Sequence, residues 1–169
     1  MPDNLFKHFI VQIYNFFLMK RFFLNNFFLT ILIFSGLIIY SCKDRDGTSG
    51  CFPQQYIYFH LPLSLPNYQQ LQFQGNYEII NIEGSGSRGV IIYNTGTKFI
   101  IYDRNAPHIC PDENTTLEVI TDTDGFKKLY CPKDGSKWLL ENGQPLEKVS
   151  TPPKMYRYYL QNNILNVYN

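Results

Sequence analysis

Histidine and cysteine are scarce in this chain, at three and four residues among 169. Metal centres and acid–base sites draw heavily on these side chains, so no large constellation of titrating groups is available. Net charge is nearly absent as well. Fifteen Lys and Arg face 14 Asp and Glu, a formal +1. That balance argues against a nucleic-acid binder, which carries a basic excess or a basic stripe. Helical amphipathicity is also missing: from Phe52 onward no window places apolar residues at i, i+3, i+4 and i+7. What is present is apolar, with 44% hydrophobic and 17% aromatic residues. That is ample for a packed core and argues against disorder.

These figures average two unlike parts. Nine of the 14 phenylalanines precede position 42, where Lys7, Lys20 and Arg21 stand against Asp3. The remaining residues hold 12 basic and 13 acidic side chains, a neutral to faintly acidic segment long enough for its own core. Met19-Lys20-Arg21 reads as a basic n-region, and residues 27–40 form an apolar run broken only by Thr30, Ser35 and Gly36. Such a run is short for a membrane span and suits a signal peptide. Residues 1–41 are therefore expected to be a signal segment, with Met19 as the true start. Ile39-Tyr40-Ser41-Cys42 resembles a bacterial lipobox, which makes Cys42 the expected lipid-attachment residue. Residues 42–51 then form a polar, flexible tether, and 52–169 the domain. The implied location is the cell envelope, as an outer-membrane lipoprotein facing the periplasm or the surface. The membrane is then a partner through the lipid anchor.

Past the tether, short β-rich runs recur at 56–59, 77–82, 90–93, 98–102, 116–121, 127–130, 155–160 and 164–168. Turn residues separate them: Gly84-Ser85-Gly86-Ser87, Asn94-Thr95-Gly96, Asp124-Gly125, Asn142-Gly143 and Asn162-Asn163. Strands at this spacing predict an all-β chain, a small antiparallel sandwich or barrel. Pro62, Pro66 and Tyr68 suggest an extended segment along the surface. Two polar, proline-containing loops, 104–113 and 131–137, each carry a cysteine and flank an expected hairpin. Loops held by a rigid sheet are where function usually lies.

These two loops resemble those of the Rieske iron–sulfur family. There, a Cys-x-His loop and a Cys-x-x-His loop hold a 2Fe–2S cluster, two cysteines on one iron and two histidines on the other. Cys131-Pro132-Lys133-Asp134-Gly135-Ser136 is similar to the family's Cys-Pro-Cys-His-Gly-Ser, and Ile101-Tyr102-Asp103-Arg104 leads into Ala106-Pro107-His108 where Cys-x-His is expected. Gly143, Pro152-Pro153 and the strands at 156–160 and beyond extend the likeness over about residues 56–169. The resemblance implies a small Rieske-like fold with both loops at hairpin tips.

His108 and Cys131 fall on the family's ligand positions, whereas Ala106 replaces a cysteine and Asp134 a histidine. Alanine has no donor atom, so a conventional cluster is not expected. In respiratory members an extra cysteine in each loop forms a disulfide. Cys110 lies near that first-loop position, but its second-loop counterpart is Lys133. The resemblance thus leaves Cys131 as the nearest partner, and a Cys110–Cys131 disulfide is the expectation for an oxidising envelope. The alternative uses the same atoms: His108, Cys110, Cys131 and Asp134 offer N, S, S and O donors for Zn or an altered cluster. Cys51 is left over, free or paired between molecules.

Blander readings cover the rest. His60, beside Leu61-Pro62, is expected to be packed or at the surface rather than a ligand. Asp122-Thr123-Asp124-Gly125 echoes a calcium loop without its later carboxylates and is expected to be a hairpin turn. Gly84-Ser85-Gly86 precedes a strand rather than a helix, so it cradles no phosphate. No nucleophile motif is present, so no enzyme activity and no small-molecule substrate are expected. The functional expectation is an anchored lipoprotein whose Rieske-like domain has lost its cluster and serves a structural or interaction role, its protein partner unspecified and with no cofactor. The alternatives are a 2Fe–2S electron-transfer protein and a metal-binding or redox-sensing module with altered ligands.

Overall fold

The computed structural model describes residues 47–169. The expected signal segment, Cys42 and the first part of the tether lie outside these residues. Among the described residues, ten strands form two antiparallel sheets. The larger has the order β1-β10-β9-β4-β3-β2, made of β1 (Tyr58–Pro62), β10 (Ile164–Tyr168), β9 (Met155–Gln161), β4 (Phe99–Asp103), β3 (Val90–Asn94) and β2 (Tyr77–Ile80). The smaller runs β5 (Glu118–Thr121), β6 (Lys127–Tyr130), β7 (Lys137–Leu139) and β8 (Pro145–Glu147) in sequence order. The all-β expectation is met, and a strand overlaps each of the eight expected runs.

The hairpin β3–β4 explains why there are two sheets. Its strands read VIIYN and FIIYD, apolar without alternation. A strand of that kind needs cover on both faces. Val90, Ile92 and Ile101 join Phe59, Leu61, Leu165 and Val167 in one core. Ile91, Ile100 and Tyr102 point the other way, into a second core with Leu117, Leu129, Trp138 and Leu140. The smaller sheet supplies that second cover. Trp138, fully buried at its centre, donates its indole N–H to the Thr151 carbonyl at 2.8 Å.

The turns follow their chemistry. Asn162 and Asn163 both adopt positive φ, 51° and 59°, in the two-residue connection of β9 to β10, the backbone that asparagine tolerates best after glycine. Gly84 closes against β1, where an added Cβ would lie 2.1 Å from the Tyr58 carbonyl oxygen. Asp122-Thr123-Asp124-Gly125 is the hairpin turn between β5 and β6, its carboxylates on Lys128 at 3.1 and 2.5 Å and on Lys137 at 2.9 Å.

Three features depart from expectation. The segment after β1 is a 3-10 helix, Pro66–Gln72, with proline in its first turn and Leu71 buried against the first core. Strands β7 and β8 have three residues each, too few to display a period of two. β8 also opens on Pro145, which an edge strand tolerates.

The Tyr102 hydroxyl, fully buried, donates to the Leu140 carbonyl at 2.8 Å and ties the two sheets. Tyr102→Phe leaves that carbonyl unpaired and is expected to lower unfolding stability by about 1–3 kcal/mol, read from the urea midpoint at unchanged m-value.

Candidate functional site

The first loop continues β4 into β5 as an open hairpin. An isolated bridge joins Asn105 to Thr116, Ala106 donates its N–H to Thr115 at 3.1 Å, and Leu117 donates to Arg104 at 2.7 Å. Arg88, in the loop before β3, braces it, donating to the Thr115 and Thr116 hydroxyls at 2.9 and 2.7 Å and to the Asp112 carbonyl. The second loop is the tip of the β6–β7 hairpin. Cys131 N–H donates to Ser136 O, and Gly135 N–H to Cys131 O, both at 2.9 Å, with Gly135 at φ 76°. Both loops therefore stand at hairpin tips and face each other, as the Rieske resemblance implies.

Three side chains meet between them. His108 Nε2 lies 2.6 Å from Asp134 Oδ2, and the Ser136 hydroxyl donates to the same carboxylate oxygen at 2.6 Å. Ser136 Oγ is also 3.3 Å from His108 Nε2, and its backbone N–H donates to Asp134 Oδ1 at 3.0 Å. The imidazole stands 5.5 Å from the Trp138 ring, and its Nδ1 is buried without a hydrogen-bond partner among the described residues. Burial alone would raise the Asp134 carboxyl. Hydrogen bonds from Ser136, His108 and the Cys131 thiol outweigh it and hold the acid well below the usual carboxylate range. An ion pair between Lys133 and Asp112 joins the loops again at their exposed side.

This trio is not a nucleophile relay. A relay needs the imidazole between hydroxyl and carboxylate, one nitrogen to each. Here Ser136 and Asp134 both address Nε2, and the Ser136 side chain is buried.

The cysteines pair differently from expectation. The disulfide joins Cys51 to Cys110, whose Cα atoms are 5.4 Å apart, and Cys131 is free. The reason lies in the direction each side chain takes. Cys131 faces inward at the base of the second loop, fully buried in the second core beside Ala106 and Leu129. Cys110 is exposed on the outer side of the first loop, where the incoming chain passes. Ser49 fixes that approach by donating its N–H to Pro107 O at 2.7 Å and its hydroxyl to Ile109 O at 3.3 Å. The last residues of the expected tether are thus bound to the loop, and Cys51 is not a spare thiol. Burial pushes the Cys131 thiol up, away from thiolate chemistry.

The four-donor set does not assemble either. Cys110 has its sulfur in the disulfide, and among the described residues no three His, Cys, Asp or Glu side chains are placed to share one ion. A 2Fe–2S group does not fit these residues. The Ala106 methyl is packed into the second core at 1% exposure, Asp134 is engaged by His108 and Ser136, and only His108 and Cys131 remain of four ligands. His60 lies exposed on the open face of β1, as the surface reading has it, with its Nδ1 2.5 Å from Asn166 Oδ1 and its ring edge-on to Tyr58 at 4.9 Å.

The roles of Trp138, Arg88 and Asp112 have no signal in the sequence. Ser136 and Lys133 stand in the second-loop motif, which does not foretell their contacts with Asp134 and Asp112.

Two outcomes test this geometry. Non-reducing peptide mapping should join Cys51 to Cys110, and Cys110→Ser should lose about 4 kcal/mol of stability under the chain-entropy model for a 59-residue separation. Asp134, an acid depressed in the folded chain, contributes stability that is present above about pH 4 and lost as pH falls further. The stability gap between the native chain and Asp134→Asn should therefore narrow on going from about pH 6 to about pH 3, as read from urea midpoints.

No protein-family model matches the chain, and no curated protein sequence matches it. Among solved structures it is similar to the ferredoxin of carbazole 1,9a-dioxygenase from Nocardioides aromaticivorans IC177, at 15% identity and a TM-score of 0.37, covering 56% of this chain and 86% of that one. A chain from the complex of reduced oxygenase and oxidized ferredoxin in carbazole 1,9a-dioxygenase matches at 16% identity and a TM-score of 0.40, covering 69% and 94%. A protein described as the small subunit of an NADPH nitrite reductase matches at 19% and 0.37, covering 58% and 92%. Identities and scores this low mark a remote likeness, below what carries a function from one chain to another.

Proposed function

We propose that this chain is an envelope lipoprotein, anchored through Cys42, whose Rieske-like domain holds its two loops together by hydrogen bonds in place of a cluster. It acts as an interaction module towards another protein and has no enzyme activity of its own. The observation that carries this reading is the closed His108–Asp134–Ser136 group beside a core-packed Ala106. In the family the iron–sulfur group both links the loops and carries the electron. In this chain the linking is done by side chains: His108 to Asp134 between the loops, and Lys133 to Asp112 outside them. Nothing at this position is left to accept an electron. The loop pair remains a rigid, exposed tip, with Pro132, Lys133, Glu113 and Asn114 open to solvent, suited to docking.

One observation favours a second reading. His108 Nδ1 is buried without a partner, an arrangement that a group bound at that nitrogen would resolve. A metal-binding or redox-sensing module follows from it.

The full chain, expressed with its leader and purified anaerobically in detergent, tests both. The expected result is a colourless, iron-free protein that carries lipid on Cys42 and leaves the membrane fraction on Cys42→Ser substitution. A brown protein with stoichiometric iron overturns the first reading. Replacing both Ala106→Cys and Asp134→His restores the family's donor set and is expected to bring visible absorbance and iron uptake. A folded, colourless double variant would show that the loops are not built on the family's geometry.

A further inference from the structure

The junction of the two sheets is filled by side chains with no exposed surface, such as Ile91, Leu129, Trp138 and Leu140. Away from the loop pair the junction carries a surface cleft. The cleft, of about 220 Å³, lies between Tyr93 of β3 and Leu139 of β7, flanked by Phe126, Lys127, Glu141 and two glycines, Gly75 and Gly125. The glycines keep its rim low. Both have positive φ, 79° and 80°, and at each the space a Cβ would enter is vacant.

One apolar side chain stands uncovered in an otherwise mostly polar lining. Phe126 stands 59% exposed at a hairpin tip where a polar residue would serve the turn equally well. Isolated exposed hydrophobics need no explanation, but this one adjoins Tyr93 and Leu139 in a concave surface.

Two opposite charges border the same cleft without meeting. The Lys127 ammonium donates to the Gly75 carbonyl and sits 5.6 Å above the centre of the Tyr77 ring, which fixes it at one rim. An ammonium has three N–H donors, so two remain. Glu141 lines the cleft as well, and its carboxylate has no hydrogen bond or ion pair among the described residues. Burial, and then the charge of Glu141, push the Tyr93 phenol up, so that it stays a neutral donor.

From this arrangement we propose that the cleft binds a small zwitterion with an apolar body, the chemistry of a free α-amino acid bearing an aliphatic or aromatic side chain. Its carboxylate meets Lys127, its ammonium meets Glu141, and its side chain lies against Phe126, Tyr93 and Leu139. A ligand with only one charge leaves either Lys127 or Glu141 unanswered. The site is independent of the loop pair and of the anchoring of the chain.

The test is a titration of the isotope-labelled full chain in an uncharged maltoside detergent, followed by nuclear magnetic resonance. L-phenylalanine is expected to give saturable shifts centred on Gly75, Gly125 and Glu141. Phenethylamine and 3-phenylpropanoate, each lacking one charge, should bind at least about tenfold more weakly. Glu141→Gln, at an exposed position that does not endanger folding, should weaken phenylalanine about tenfold and leave 3-phenylpropanoate unchanged. Absence of saturation up to about 10 mM phenylalanine overturns the proposal. So does equal binding by either half-ligand, an unchanged affinity in Glu141→Gln, or binding of phosphocholine in place of the amino acid.

Discussion

Two adjacent strands without a polar face impose the architecture on everything else. Val90–Asn94 and Phe99–Asp103 expose apolar side chains to both sides of one sheet. A single layer cannot satisfy them, since each buried methylene left in water would forfeit about 0.8 kcal/mol. One side is closed by β1, β10 and the 3-10 helix, the other by the small sheet carrying Trp138. The loop pair inherits its position from this requirement. The first loop leaves directly from β4 and the second from the β6–β7 hairpin packed over it, so both tips emerge from the same two-sided core.

The contacts between the tips are made by several side chains at once. A metal centre joins loops by a few short, directional bonds of high individual strength. Here the linkage is distributed: one carboxylate accepts from an imidazole, a hydroxyl, an amide and a thiol, while an outer ion pair and a backbone brace from Arg88 add to it. The outer pair is exposed and adds little by itself. The inner group is partly buried and carries the closure.

Much of this was legible in the sequence, and the exceptions have physical causes. Strands of four or more residues showed through their β-branched and aromatic content, and the Asn162-Asn163 connection through its turn chemistry. Three-residue strands such as Lys137–Leu139 have no period to detect, and their pairing is set by a neighbour, Leu129 opposite Trp138. The ligand positions Ala106, His108, Cys131 and Asp134 were readable from the resemblance. The disulfide was not. Which cysteine meets Cys110 depends on the path of residues 49–52 over the first loop, a long-range backbone contact without a sequence signature. Cys131 was the nearer candidate by family position, but the pleat turns it inward.

The bridge from Cys51 to Cys110 has a mechanical meaning. Tension arriving along the chain ahead of Gly47 reaches the sulfur bond before it reaches β1, and passes from there into the first loop and its Arg88 brace. Residues 52–57 and the edge strand β1 are shielded from load, so they need no resistance to unzipping. Reduction of the bond would pass such tension through residues 52–57 to β1.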